Sequence, residues 1–294
     1  MNTPSAKSKQ ASKKRKAPLL LRVVQTAFPV AERWFPALAR RFFITVFFTP
    51  LNYAVPEKEK AFARKALLFD LRVEGKRIQC YSWGEGPLIY LVHGWAGRAT
   101  QFHKIVAGLV KSGFRVIGFD GPAHGRSEGR STSIQEFEAT LRALYAHSGE
   151  PEGIIAHSFG GGAVLYAAMN GLPVRKLINI ASPTIGDEII NTYLTTINGS
   201  PETGRYFKDY VLRTTGKPFE AFTALHFIEH LPKPIDLLLI HDTDDREVSL
   251  SHALALIERY PQARLYQTSG LGHTRILKDE NVIEECIAFF RDRT

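Results

Sequence analysis

The run Gly153-Ile154-Ile155-Ala156-His157-Ser158-Phe159-Gly160-Gly161 decides the fold. Residues 153–156 read as a short buried strand and 159–170 as a helix, so the chain must turn sharply at Ser158. A serine on such a turn is held in a strained backbone conformation, with its hydroxyl above the sheet. Small residues two before and two after it avoid clashes, and Ala156 and Gly160 occupy those places. The turn also offers the Phe159 N–H and the N-terminus of the following helix to a developing oxyanion. A serine N-cap of a buried helix shows the same local pattern, so the surroundings must decide.

On either side of this turn the chain alternates strand and helix patterns. Residues 66–73 and 77–83 alternate as two strands around Glu74-Gly75-Lys76, a natural turn. Short apolar runs at 88–92, 114–119, 153–156, 177–181, 235–240 and 263–268 read as strands. Helical spacing is found at 57–65, 100–111, 134–148, 159–170, 249–260 and 280–291. This order predicts an α/β fold: a mostly parallel central sheet of about eight strands, antiparallel at its start and covered by helices on both faces. Residues 183–231 break the alternation. They are about twice as long as an ordinary crossover and rich in aromatics, among them Tyr193, Tyr206, Phe207, Tyr210, Phe219, Phe222 and Phe227. An inserted helical lid is expected there.

The strand ends supply the other candidates. Residues 88–92 run into His93-Gly94-Trp95-Ala96-Gly97, where Gly94 permits a tight loop that aims the Trp95 N–H inward. With the Phe159 N–H it would make a two-donor oxyanion hole, although a glycine turn bearing a surface tryptophan fits the same residues. A serine hydroxyl needs an adjacent base. Of ten histidines, His273 stands just after strand 263–268, at the carboxyl edge where such sheets bind ligands. Strand 235–240 ends in His241-Asp242-Thr243-Asp244-Asp245-Arg246, from which Asp245 is chosen to orient the imidazole. A solvated turn, or an N-cap before Ser249, would also suit that cluster. The chain order Ser158, Asp245, His273 is the one this architecture uses.

From about Leu67 onward the chain resembles the α/β-hydrolase fold family, and as a whole a group of bacterial hydrolases with a basic, aromatic N-terminal arm. The resemblance rests on His93-Gly94-Trp95, the Ser158 turn, Asp245 and His273. Asp120-Gly121-Pro122-Ala123-His124-Gly125-Arg126-Ser127 resembles the family's turn after its fourth strand, with Ala123 where members usually carry glycine. The likeness implies structural roles for His124 and His157. It implies an acid four to five residues past its strand with an apolar residue three further on, as Asp245 and Val248 provide; Asp244, Asp242 and Asp187 remain alternatives. It implies no metal or organic cofactor, and a serine at the turn argues against the dehalogenase and epoxide-hydrolase chemistry that uses aspartate there. The expected reaction is hydrolysis of a small-molecule carboxylic ester or thioester, of an apolar acyl group. Acyl transfer by the same residues, or a non-catalytic binding protein on this fold, are the rivals.

The 294 residues are 44% hydrophobic and 23% charged, which excludes a disordered chain and a polytopic membrane protein. Two cysteines, Cys80 and Cys286, make neither a disulfide framework nor a zinc set. The net charge of +9 is uneven. Residues 1–31 hold seven basic residues and no acid, and without them 31 basic face 29 acidic residues. Residues 1–17 are expected to be a disordered basic tail, 18–55 an aromatic helical arm broken into short pieces by Pro29 and Pro36, and 56–294 the hydrolase domain. The arm fits either a helix pair packed on its own domain or, over residues 1–48, a contact with an anionic membrane surface. No reading module for nucleic acid is recognisable. A cytoplasmic place is expected, with any membrane contact peripheral on the inner face. No cleavable signal peptide and no spanning helix are expected.

Overall fold

The computed structural model describes residues 19–292; the predicted tail lies outside them. Among the described residues eight strands form one sheet: β1 Leu67–Val73, β2 Lys76–Trp83, β3 Leu88–Val92, β4 Arg115–Phe119, β5 Gly153–His157, β6 Lys176–Ile180, β7 Asp236–Asp242 and β8 Arg264–Thr268. The helices are α1 Leu19–Trp34, α2 Pro36–Phe48, α3 Glu57–Ala63, α4 His103–Lys111, α5 Ile134–Ser148, α6 Phe159–Met169, α7 Gly186–Ile197, α8 Pro201–Thr215, α9 Ala224–Glu229, α10 Ser251–Arg259, α11 Gly272–Arg275 and α12 Glu280–Arg291. Most predicted boundaries agree to within a residue or two; the four-residue α11 had no periodicity to announce it.

The sheet order is β1-β2-β4-β3-β5-β6-β7-β8. The first two pairings are antiparallel and the rest parallel. Glu74 and Gly75, both at positive φ, close the β1–β2 hairpin. The chain moves from β3 to β4 on one side and returns to β5 on the other. The carboxyl ends of β3 and β5 therefore flank the point where the winding reverses, which is where open α/β sheets bind ligands. Because helices cover both faces, β3, β4 and β5 are almost wholly buried. Leu141, Val164 and Leu256 of α5, α6 and α10 pack on one face, and Ile105, Leu109 and Phe289 of α4 and α12 on the other.

The insert between β6 and β7 is helical. Helices α7 and α8 stand apart from the sheet core, and their Ile190, Leu194, Ile197, Phe207 and Val211 pack with Phe28, Ala39 and Phe43 of the arm. The insert's last helix, α9, returns to the body, with Ala224, Phe227 and Ile228 in the main core.

One expectation about the arm is corrected: Pro29 does not break the helix, and α1 runs through it to Trp34. A proline cannot donate to the carbonyl four residues back. Here that carbonyl belongs to Gln25, and the Asn198 side chain at the end of α7 donates to it at 3.1 Å. Gln25 in turn donates through Nε2 to the Thr196 carbonyl. The insert fills the gap that would otherwise end the helix. Glu32 makes a second fastening, accepting from the Ser200 N–H (3.0 Å), the Ser200 hydroxyl and the Thr203 hydroxyl at the N-terminus of α8. A carboxylate there meets the positive end of the helix.

Candidate active site

Ser158 links β5 to α6 at φ 53°, ψ −126°, a conformation that an L-residue holds only when its surroundings impose it. Its N–H donates to the Ile180 carbonyl at 2.8 Å, and its own carbonyl accepts from the Gly161 N–H and the Ser182 hydroxyl. Glycine is required at 160, where an added Cβ would lie 2.5 Å from the Val92 carbonyl oxygen and 2.6 Å from that of His93. At Gly94 a Cβ would lie 2.8 Å from the Ser158 Cβ. These two close approaches let the β3 loop and the β5 turn meet.

His273 comes to the same place on α11. Its Nε2 lies 3.1 Å from the Ser158 hydroxyl and its Nδ1 2.7 Å from Asp245 Oδ2. Asp245 Oδ1 accepts the N–H groups of Glu247 (2.8 Å) and Val248 (3.0 Å). Burial pushes the Asp245 carboxyl up, but the His273 ring and these N–H groups together hold it below the usual carboxylate range. An ionised carboxylate only accepts, so Nδ1 of His273 carries the proton and Nε2 is left to accept from Ser158. Ser158, Asp245 and His273, read separately from the sequence, are thus brought into one line.

The other acids do different work. Asp242 Oδ2 accepts from the Thr268 hydroxyl (2.7 Å) and the Leu271 N–H (3.0 Å), and Asp244 Oδ2 from the Gly270 N–H (2.8 Å). Both tie the end of β7 to the loop that carries His273. Asp187 is exposed and pairs with Lys208. His157 lies beside His273, ring centroids 4.7 Å apart, and donates through Nε2 to the His273 carbonyl. Burial pushes His157 down to about 3, so a neutral ring braces the backbone of the neighbouring histidine.

The loop after β3 is held by histidines as well. His93 donates from Nδ1 to the Gly94 carbonyl and accepts the Gly121 N–H at Nε2. His124 donates from Nδ1 to the Pro122 carbonyl and accepts the Ala96 N–H at Nε2, 3.0 Å away. Each ring uses both nitrogens in its neutral form. Burial pushes their pKa values down, to about 4 for His93 and about 3 for His124. Ala123 sits at φ 65°, which explains why glycine is usual at that place of the turn. Among the described residues no acceptor takes the Trp95 or Phe159 N–H, and the two rings meet edge to face at 5.3 Å. Sequence reasoning missed the brace beyond this loop: buried Arg98 donates to Glu59 Oε2 at 2.7 Å, and the Thr100 hydroxyl shares that oxygen.

The fold family is decided by the match over residues 87–278, which spans β3 to the end of the His273 loop. The chain belongs to the α/β-hydrolase fold family. As a family member it is 34% identical over 102 residues to a non-heme haloperoxidase of Rhodococcus erythropolis, a match covering 33% of this chain and 37% of that protein. It is 29% identical over 118 residues to a bifunctional esterase/perhydrolase of Acinetobacter calcoaceticus, covering 37% and 42%. Both matches span less than half the length of those relatives. An esterase structure from Pyrococcus furiosus superposes with a TM-score of 0.61 at 18% identity, over 83% of this chain and 96% of that one, and so shares the hydrolase fold. Among the described residues no group of three or more His, Cys, Asp or Glu is placed to hold a metal ion, and no helix is long and apolar enough to cross a membrane.

Beside Trp95 and Phe159 lies a cavity of about 290 Å³. The insert lines it with Ile189, Tyr193, Tyr210 and Val211, and the arm with Phe47 and Phe48. Its wall is mostly apolar and rich in aromatic rings.

Proposed function

We propose that this protein is a serine hydrolase of small-molecule carboxylic esters or thioesters with an apolar acyl group. The observation that carries the reading is the line Ser158 hydroxyl, His273 Nε2, His273 Nδ1, Asp245 carboxylate, at 3.1 and 2.7 Å. Ser158 attacks the acyl carbon while His273 Nε2 takes its proton. Asp245 fixes the tautomer and stabilises the imidazolium. The Trp95 and Phe159 N–H groups receive the oxyanion. His273 then gives the proton to the departing alcohol or thiol, and water attacks the acyl-enzyme with His273 again as base. The cavity beside Trp95 and Phe159 supports an apolar acyl group. The esterase/perhydrolase among the relatives supports an ester.

A fluorophosphonate probe tests the nucleophile. The wild type is expected to label and Ser158→Ala to lose labelling; a mutant that labels as before sinks the assignment. p-Nitrophenyl esters of graded chain length, with and without an alcohol acceptor, separate hydrolysis from acyl transfer. Residues 1–48 support a peripheral place on an anionic membrane surface, since Leu19, Leu20, Val23, Trp34, Phe35 and Leu38 are exposed and the sequence before them is basic.

A further inference from the structure

The arm has two faces, and they face different things. Along α1 the inward side bears Phe28 and Glu32, both engaged with the insert, while Leu20, Val23, Val30 and Trp34 point out. On α2, Ala39 and Phe43 are buried, Leu38 is 62% exposed, and Phe47 and Phe48 line the cavity. Helix α8 repeats the division, with Tyr210 and Val211 on the cavity side and Leu212 exposed. Arg40 of the arm and Arg213 of α8 both stack on Tyr206, so the two outer faces are continuous. A helix with its side chains is only about 10–12 Å across. At α2 and α8, one helix therefore separates the exposed apolar face from the acyl cavity.

Charge decides what covers that face. The first 56 residues hold ten basic residues and a single acid, Glu32; the rest of the chain is balanced at 28 basic and 28 acidic. Glu32 is turned inward onto Ser200 and Thr203. The whole net charge of the protein therefore belongs to the first 56 residues of the sequence. A second copy seated face to face would bring like charges together, because a two-fold contact pairs a patch with itself. Nucleic acid offers a polar and charged surface to a face built from leucine, valine, tryptophan and phenylalanine. An anionic bilayer matches both features, with an apolar interior for the side chains and negative headgroups for the arginines and the tail.

We propose that the arm docks the enzyme on an anionic bilayer and that its second helix, α2, walls the acyl cavity together with α8, so that the acyl substrate is taken from the bilayer rather than from solution. Phe47 and Phe48 are then specificity-determining residues. The inference rests on the hydrolase reading for its chemistry and stands apart from it for docking. The cavity holds about 290 Å³. A short acyl group would leave most of that space unfilled, so a longer chain should be preferred over butyryl.

The test uses the full chain and vesicles of phosphatidylcholine with or without phosphatidylglycerol. Binding is expected only with the anionic lipid and should weaken with salt, since each basic side chain near the surface multiplies partition by about five. Trp34→Glu with Leu38→Glu, both at exposed positions, should lower partition by at least about tenfold. Turnover of a vesicle-borne decanoyl ester should fall in proportion, while a soluble butyryl ester is cleaved as before. Phe47→Ala should leave vesicle binding unchanged and move the preferred chain length upward. Unchanged binding by the double variant overturns the proposal. So does a wild-type dimer that the double variant converts to monomer, which would seat a second copy on the face. Tight binding to a labelled oligonucleotide in place of vesicles overturns it too. Vesicle binding without fluorophosphonate labelling would retain the docking surface and sink the hydrolase reading.

Discussion

Asp242 and Asp245 close the same strand end three residues apart and face different partners: Asp242 takes Thr268 and Leu271, Asp245 takes His273. Only Asp245 can set the tautomer of the imidazole. Asp245→Asn is expected to lower kcat by about 10⁴, as in other triads with the wrong tautomer. Asp242→Asn leaves hydrogen bonds of a charged group half-made and should cost about 1–3 kcal/mol of stability, read by urea unfolding. Asp244 accepts one N–H, from Gly270, which asparagine can also accept. Asp244→Asn should therefore stay within about tenfold of wild-type turnover. If it is the variant that loses activity, the acid is misassigned.

Two glycines in the first turn of α6 separate close packing from helix propensity. A Cβ at Gly160 would press on two carbonyl oxygens of the β3 end, both backbone. Gly160→Ala is expected to destabilise by about 3 kcal/mol and to weaken fluorophosphonate labelling, because the Ser158 turn and the Trp95 loop must part. At Gly162 a Cβ would meet nothing within 4 Å. Gly162→Ala should stabilise by up to about 1 kcal/mol, the helix propensity gain. Thermal melts of the pair decide it; equal effects would mean that the approach to β3 does not limit residue 160.

The elements that sequence made legible are those with strong periodicity or unusual turn residues. The buried strands are short apolar runs, and Gly94, Ser158 and Gly160 mark places where backbones approach. Asp245 could be chosen from its cluster because Val248 follows it at the right distance. The bracing was not legible, since Asp242 with Leu271, His124 with Ala96, and Arg98 with Glu59 join residues far apart in the chain. Nor was the survival of α1 through Pro29. A local rule predicts a break there, and a side chain 173 residues beyond Gln25 takes the carbonyl that Pro29 leaves free.

Three of the buried histidines give the protein a defined acid sensitivity. In the folded state His93, His124 and His157 lie at about 4, 3 and 3, against about 6.5 in the unfolded chain. Between pH 6.5 and 4 the unfolded chain binds more protons, so stability rises with pH over that window and falls as acid is added. At pH 5 each histidine costs about 2 kcal/mol relative to neutral pH. Urea unfolding at pH 7 and pH 5 should show the loss. His124→Gln removes one such proton and should flatten the difference by about 2 kcal/mol. The same slope in wild type and variant would mean that His124 titrates normally.

The Asn198–Gln25 contact admits a sharper test than deletion of the arm. Asn198 ends α7 at φ 57°, so alanine there would add backbone strain to the loss of the donor. Asn198→Gly keeps the conformation and removes only the hydrogen bond to the Gln25 carbonyl, at an expected cost of about 1 kcal/mol. Pro29→Ala restores a backbone N–H that can take the same carbonyl from within α1. In that background Asn198→Gly should cost little, giving a coupling of about 1 kcal/mol in a double-mutant cycle. Hydrogen exchange of the α1 amides reads the effect locally. Additive effects of the two changes would show that the insert does not sustain the helix through Pro29. Non-additive effects would make the docking of α1 on α7 the condition for an unbroken arm.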